Sequence, residues 1–274
     1  MNLEDSLGDI LRKARLSNQV GSAEAAAAAG LATDAYEQME ATGTAASGTR
    51  FEPLAALLTL SGPRLEGIAH GWRPEPVDLS QWQGLEVITT EGDGMTVNAF
   101  LAWDPGTHAA ALFDTGFEDA PIVELIARHQ LHLQQVFITH AHGDHVAALA
   151  PLRERYPAAR VHSGSSRAPA DQRLTDGAKY AVGSLQVTHR ATPGHAEDGV
   201  TYVVTGWGGG APSVAVVGDA IFAGSMGGAR EQLPLARRRV REMILSMAEA
   251  TLICPGHGPL TTVGQEKLHN PWFP

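Results

Sequence analysis

Cysteine is nearly absent from this chain of 274 residues, which contains only Cys254. A single cysteine cannot form an intrachain disulfide, which excludes disulfide-stabilised small folds and favours a reducing compartment. Runs of 18 or more apolar residues are also missing, so the sequence offers no membrane-spanning helix. The amino-terminal segment MNLEDSLGDILRKARL has early acidic residues and lacks the apolar core of a signal peptide. These features together predict a cytoplasmic protein.

Positive charge is scarce as well, because 20 Lys and Arg residues are outnumbered by 30 Asp and Glu residues. The resulting net charge of −10 does not favour general attraction to nucleic acid or to an anionic membrane. Hydrophobic residues make up 43% of the chain, which is enough for a large packed core. The length predicts one large domain, alone or with a small companion.

Histidine is concentrated in one short segment, Thr139–His145, with the sequence THAHGDH. This segment directly follows the apolar run Val136–Ile138, which is typical of a buried strand. A strand that ends in three imidazoles and a carboxylate brings several metal-ligand side chains to one place. Neutral imidazole suits zinc and similar divalent ions, and aspartate adds an oxygen ligand. The alternative is a polar loop with chance histidines, but only twelve histidines occur in the whole chain. The segment therefore predicts a metal site.

Three further candidate ligands lie downstream, each in a glycine-containing turn. They are His195 in TPGH, Asp219 in VVGD and His257 in CPGHG. Glycine allows the backbone to turn sharply and to approach a site closely. The sequence therefore offers seven candidate ligands in four separate motifs.

The order of these motifs, H-x-H-x-D-H followed by His, Asp and His, resembles the metallo-β-lactamase superfamily over residues 85–274. The resemblance implies an α/β fold, the αββα sandwich, and a catalytic domain over 85–274. It also implies two groups of metal ligands joined by a bridging carboxylate: His140, His142 and His195 for one ion, Asp144, His145 and His257 for the other, and Asp219 between them. Family members place a carboxylate at the position of Asp114, so we expect Asp114 to hydrogen-bond a ligand imidazole. A simple turn-forming role at the end of a strand is the alternative for this residue.

The segments GDAIFAGS, which contains Asp219, and PGHGP, which contains His257, resemble glyoxalase II, the hydroxyacylglutathione hydrolases. This resemblance implies hydrolysis of a thioester or other small acyl compound by attack of a metal-bridging hydroxide. Asp144 would orient the hydroxide or move its proton. The expected cofactors are two divalent ions, zinc in the first place, with iron or manganese as alternatives. A second interpretation is a persulfide dioxygenase, a class that resembles glyoxalase II but binds a single iron through residues matching His140, His195 and Asp219.

Residues 1–73 are predicted to form a small all-α domain, followed by a linker over 74–84. The spacing of its helices resembles the lambda-repressor type of helix-turn-helix domain, with a recognition helix beginning near Thr33. This resemblance implies a third interpretation, a DNA-binding regulator whose metal domain senses a metabolite. However, residues 21–48 contain no Lys or Arg, and residues 1–75 carry six basic and ten acidic side chains. Because DNA affinity rests mainly on cations at phosphates, we expect no nucleic-acid partner and a packing or homodimerisation role instead.

Overall fold

The computed structural model of the protein describes residues 2–274. The first five strands form one sheet in sequential order. The neighbours β1–β2 and β2–β3 are antiparallel, whereas β3–β4 and β4–β5 are parallel. Its strands are β1 (Leu85–Gly92), β2 (Met95–Trp103), β3 (Ala109–Phe113), β4 (His132–Ile138) and β5 (Arg160–Ser163). Neighbouring residues of these strands face opposite sides, as the pleat requires. Phe113 faces the second sheet, whereas Leu112 faces the outer helices.

A second sheet of six strands has the order β11-β10-β9-β8-β7-β6 and is antiparallel except between β9 and β10. Its strands are β6 (Tyr180–Val182), β7 (Leu185–Ala191), β8 (Val200–Thr205), β9 (Val214–Gly218), β10 (Leu252–Pro255) and β11 (Thr261–Thr262). The two sheets share an apolar core in which Phe100 and Phe137 of the first are clustered with Tyr202 and Val216 of the second.

Helices cover the outer faces of both sheets. On the first sheet, α6 (Ala120–Arg128) and α8 (Leu149–Arg155) bury Ile122, Ile126 and Leu152. On the second sheet, α9 (Leu233–Met243) and α10 (Val263–His269) bury Val240 and Val263. The single turn α7 (Gly143–Val146) lies inside the histidine segment. The predicted αββα sandwich is confirmed. Within residues 2–274, no helix is long and apolar enough to cross a membrane.

The N-terminal region consists of α1 (Leu7–Ser17), α2 (Ser22–Ala29), α3 (Thr33–Thr42), α4 (Phe51–Leu57) and α5 (Gly62–Ala69). At the start of α1, the Ser6 hydroxyl accepts from the Asp9 amide, and the Asp9 carboxylate accepts from the Ser6 amide. This reciprocal pair satisfies two amides that a helix end otherwise leaves open. Gly30 and Gly43 end α2 and α3 in left-handed conformations, with φ of 72° and 70°.

These N-terminal helices pack against the rest of the same chain. Leu11 is fully buried in a cluster that also contains Ile221, Met226 and Trp272. Polar contacts accompany the apolar ones: the Ser61 amide donates to the Pro271 carbonyl over 2.8 Å. The helical region and the second sheet therefore share one hydrophobic core.

Replacing Leu11 by alanine should lower the free energy of unfolding by about 2–5 kcal/mol, because the surrounding core cannot fully collapse into the cavity. Since the core is shared, the loss should appear in one cooperative urea transition rather than in an early N-terminal phase. Circular dichroism, which reports mainly the helices, and tryptophan fluorescence should give the same midpoint. The exposed Leu16 serves as the matched control, and Leu16→Ala should leave the midpoint nearly unchanged. Two separated transitions would contradict the shared core.

Candidate metal centre

The seven candidate ligands come from four strand ends at one edge of the sandwich. His140, His142, Asp144 and His145 follow β4, and the others follow β7, β9 and β10 as His195, Asp219 and His257. Both β7 and β9 are antiparallel to β8, and β10 is parallel to β9, so these three strands end at the same edge. The topology therefore brings together side chains that are more than a hundred residues apart in the sequence.

Three imidazoles form the first group. His142 Nδ1 lies 3.0 Å from His140 Nε2 and 3.1 Å from His195 Nε2. Ligand atoms on one tetrahedral ion with bonds of about 2.0–2.1 Å lie roughly 3.3 Å apart, so this spacing fits a shared cation. The three nitrogens all lie within 4.8 Å of one another.

Two carboxylates and two imidazoles extend the cluster on its other side. Asp144 Oδ2 lies 3.1 Å from His257 Nε2 and 3.5 Å from His145 Nε2. Asp219 Oδ1 lies 3.4 Å from His145 Nε2, and its Oδ2 lies 3.4 Å from His195 Nε2. Asp219 is therefore the side chain that lies between the two groups.

Two buried atoms of the cluster have no hydrogen-bond partner, His145 Nε2 and Asp219 Oδ1. Buried polar atoms in native proteins are nearly always paired, so an unpaired couple needs an explanation. A cation between the two atoms would satisfy both. The residues present therefore fit a metal centre, by their chemistry as well as by their spacing.

The Nδ1 atoms of four histidines are held by partners outside the cluster, which leaves Nε2 facing it. These pairs are His140 with Thr139 Oγ1 at 3.1 Å, His145 with Asp114 Oδ2 at 2.8 Å, His195 with the Gly228 carbonyl at 3.1 Å and His257 with the Thr96 carbonyl at 2.6 Å. Such partners fix the ring orientation of metal-binding histidines. Asp114 also accepts from the Thr139 amide and hydroxyl, each over 2.7 Å, and so connects two of the rings.

Electrostatics divides the histidines into two kinds. Burial lowers the pKa of His140 to about 2, and the charge on His145 acts in the same direction. His140 is therefore neutral at physiological pH, which is the form that binds metal. Burial also acts to lower the pKa of His145, but the Asp114 and Asp219 carboxylates outweigh it and raise that pKa to about 11. His145 thus carries a proton that an incoming cation would displace.

The family model described as the metallo-beta-lactamase superfamily matches residues 92–257. The chain belongs to this superfamily. A hydroxyacylglutathione hydrolase of Cereibacter sphaeroides is 31% identical over 163 residues, which is 58% of this chain and 61% of that relative. The alignment thus spans less than two thirds of the relative's length.

Two crystal structures show the same fold. BLEG-1, a B3 metallo-beta-lactamase, is 28% identical with a TM-score of 0.58, and the match covers 69% of this chain and 99% of BLEG-1. ETHE1 from Myxococcus xanthus is 26% identical with a TM-score of 0.58, covering 68% of this chain and 83% of ETHE1. The family match begins after the N-terminal helices, so it does not test the helix-turn-helix resemblance.

Some residues around this candidate centre could not be identified from sequence. Thr139 holds both Asp114 and His140, and its position directly before His140 was the only available signal. The carbonyls of Thr96 and Gly228 gave no signal, because every residue type carries a carbonyl.

Arg237, in an arginine-rich part of α9, donates to Thr59 in the N-terminal region and does not line the clefts beside the histidines.

Two clefts meet at His142 and give a substrate room to reach the cluster. A cleft of about 790 Å³ is bordered by His142, His195, Arg230 and Leu235. A smaller cleft of about 320 Å³ lies on the other side of His142, against Arg167 and Asp198. His142 is the exposed member of the histidine cluster, as access from these clefts requires.

Gly256 leaves the space that the cluster occupies. A Cβ atom at this position would lie 2.6 Å from His145 Cε1 and even closer to Asp219 Oδ1. Gly256→Ala should therefore displace these two side chains and weaken the binding of one metal ion by at least about tenfold. Gly143→Ala is the matched control from the histidine segment, because a Cβ there meets nothing within 4 Å. Zinc titration with a competing chromophoric chelator measures the effect, and equal affinities in both variants would contradict it.

Proposed function

We propose that this protein is a metal-dependent hydrolase acting on a small thioester or related acyl compound. The observation that carries the proposal is the position of Asp219 between two groups of three ligands, His140, His142 and His195 on one side and Asp144, His145 and His257 on the other. When bound, two divalent ions would supply Lewis acidity and lower the pKa of water, to about 7 in the case of zinc. The hydroxyacylglutathione hydrolase of Cereibacter sphaeroides supports the thioester class.

The protein's own residues would orient the reaction. Asp144 Oδ2 lies 3.1 Å from His257 Nε2 and is partly exposed, so it can accept a proton from a water molecule at the centre. His142 marks the side from which the substrate enters, because both clefts reach the cluster there. Asp114, through His145, would keep one ligand ring in the orientation that the centre needs.

The test combines metal content with substrate choice. Elemental analysis of the purified protein should find close to two ions of zinc, iron or manganese per chain. S-D-lactoylglutathione should be hydrolysed, whereas the β-lactam nitrocefin, included because of the similarity to BLEG-1, should not. A metal-free preparation that still hydrolyses the thioester would overturn the proposal.

A dioxygenase with one iron is the second candidate, and the similarity to ETHE1 favours it. It would use His140, His195 and Asp219, a two-histidine, one-carboxylate set of the kind that oxygen-using iron sites employ. This assignment leaves the other four candidate ligands, His142, Asp144, His145 and His257, without a ligand role, which is why we prefer the hydrolase. A single bound iron, with oxygen consumed when glutathione persulfide is added, would select the dioxygenase.

We further propose that the N-terminal helices pack against protein and do not bind DNA. The chain is then not a DNA-binding regulator. The exposed side of α3 presents Asp34 and Glu37, and Glu40 is paired with Arg15 at 2.7 Å. This helix therefore presents acidic side chains, whereas a DNA-recognition helix needs cationic side chains to contact phosphates and bases. A homodimer involving this region remains a prediction, which light scattering of the protein with and without residues 1–73 would test.

Binding of the full chain to random-sequence duplex DNA at 150 mM salt should be undetectable at nanomolar protein, since few cations are available to release counterions. A mobility-shift assay measures this directly. A charge-reversed variant, Asp34→Lys with Glu37→Lys, provides the positive control and should increase binding at low salt. A shift of the unmodified protein at nanomolar concentration would contradict the packing role.

A further inference from the structure

One loop contacts several residues of the metal centre. This Asp219 loop, residues 219–228, begins with Asp219, whose carbonyl accepts from the Gly227 amide over 3.2 Å. The Gly228 carbonyl lies 3.1 Å from His195 Nδ1 and holds that ring. A Cβ atom at Gly227 would lie 2.8 Å from His195 Nδ1 and even closer to the Asp219 carbonyl oxygen. The backbone of the loop therefore determines where two candidate ligands lie.

An ion pair from the N-terminal region holds the middle of this loop. Asp5 is only 4% exposed, and its Oδ2 accepts from Ser225 Oγ over 2.5 Å and from Lys13 Nζ over 2.7 Å. Lys13 Nζ also donates to the Met226 carbonyl over 3.3 Å. The pair thus contacts two consecutive loop residues, and these directly precede Gly227. Hydrogen bonds that involve a charged group are about twice as strong as neutral ones, so the contacts are suited to fixing the loop.

The same lysine is connected to the other side of the metal centre through an aromatic ring. Lys13 Nζ lies 5.4 Å from the centre of the Phe222 ring, which also belongs to the Asp219 loop. That ring meets His257 edge-on, with 5.8 Å between ring centres. On the opposite side of the loop, Asn270 Nδ2 donates to the Ser225 carbonyl over 2.8 Å. The loop is therefore held between the N-terminal region and the segment that follows α10.

The ion pair lies outside the part of the chain that matches the superfamily. That match covers residues 92–257, whereas Asp5 precedes α1 and Lys13 lies within it. The metal centre of this chain therefore has a support that the matched region does not contain.

We propose that Asp5 and Lys13 are positioning residues of the metal centre, through which the N-terminal helices hold Asp219 and His195 in place. Neither residue is a candidate ligand, and both act through the Asp219 loop. The inference rests on the metal centre that the proposed hydrolase function requires. Loss of a group that directly holds a ligand typically costs about 10- to 100-fold in metal affinity. The ion pair acts one or two residues further away, so its loss should cost about threefold to tenfold.

Asp5→Ala tests this role in the full chain, with zinc alone as the probe. Its matched control is Glu40→Ala, because Glu40 forms a comparably buried ion pair with Arg15 of the same helix, α1. The side chain of Arg15 donates to Glu40 and to the Val20 carbonyl, within the N-terminal region. Both variants should lower the urea midpoint of the metal-free protein. Only Asp5→Ala should weaken zinc binding, measured with a competing chromophoric chelator where circular dichroism shows every variant to be folded.

Lys13→Met provides a second, milder variant, because it removes the charge and keeps an apolar stem beside Phe222. It should weaken zinc binding in the same direction as Asp5→Ala, and it keeps the test decisive if Asp5→Ala does not fold. Cobalt(II) substitution adds a spectroscopic measurement, since the visible absorption bands of cobalt report its coordination geometry. These bands should change in Asp5→Ala and Lys13→Met and should match those of the unmodified protein in Glu40→Ala.

The outcomes separate this inference from the proposed function. Zinc affinities and cobalt spectra that are unchanged in Lys13→Met and Asp5→Ala would overturn the positioning role. An equal loss of zinc affinity in Glu40→Ala would also overturn it, because the effect would then follow the stability of the N-terminal region. If zinc binding depends on the ion pair but S-D-lactoylglutathione is not hydrolysed, the hydrolase proposal fails while the positioning role stands. Hydrolysis by a protein whose zinc affinity ignores both residues gives the opposite result.

Discussion

Asp219→Ala should reduce the bound metal from two ions to at most one and lower kcat/KM for the preferred thioester about a thousandfold or more. The reason is that Asp219 lies within 3.5 Å of ligand atoms from both groups, His145 and His257 on one side and His195 on the other. Its loss also removes the carboxylate ligand nearest to the imidazoles of the first group, since Asp219 Oδ2 lies 3.4 Å from His195 Nε2. Elemental analysis and steady-state kinetics measure the two effects.

Asp114→Ala provides the comparison. Asp114 touches His145 Nδ1 rather than the inner face of the cluster, and removal of such an outer partner typically costs about 10- to 100-fold in metal affinity or activity. Asp219→Asn keeps the shape and removes the charge, so it should resemble Asp219→Ala in metal content. Equal losses from Asp219→Ala and Asp114→Ala would show that the roles of the two carboxylates are misassigned.

The candidate ligands could be read from the sequence because each sits in a short local motif. The histidine segment follows the buried end of β4, and the three later ligands follow strand-like runs or glycine turns. The strands that precede these ligands all end at one edge of the sandwich, and this brings the ligands together. The apolar run Val136–Ile138 likewise predicted a buried strand, and β4 ends with these three residues.

Contacts that depend on the backbone or on distant packing could not be read in this way. The carbonyl that holds His257 belongs to Thr96, and no property of a threonine side chain predicts this contact. Asp5 looked like one of several acids before a helix, and only the fold places it against Ser225. The shared core of α1 and the second sheet was equally hidden, because apolar positions such as Leu11 indicate a buried face but not its partner.

Metal binding at pH 6 should release a proton from His145. Asp114 and Asp219 raise the pKa of His145 to about 11, so the ring is protonated in the metal-free protein throughout the range from pH 6 to 9. The pKa of His140 lies near 2, so His140 releases no proton, and burial also lowers the pKa of His195. Because a ligand must lose its proton to bind, affinity for the ion at His145 should rise about tenfold per pH unit, while affinity for the other ion should change less.

Zinc calorimetry in buffers with different ionisation enthalpies counts the released protons. At pH 6 a zinc-bound water molecule, with a pKa of about 7, contributes little, so the released protons come mainly from ligand histidines. Comparison with a variant of Asp114 then isolates the share that comes from His145. Asp114→Asn removes the negative charge that holds the proton on His145, so this variant should release distinctly less than one proton from that ring at the same pH. Proton release that is the same in Asp114→Asn and in the unmodified protein would contradict the assignment, and so would a pH-independent affinity at both metal positions.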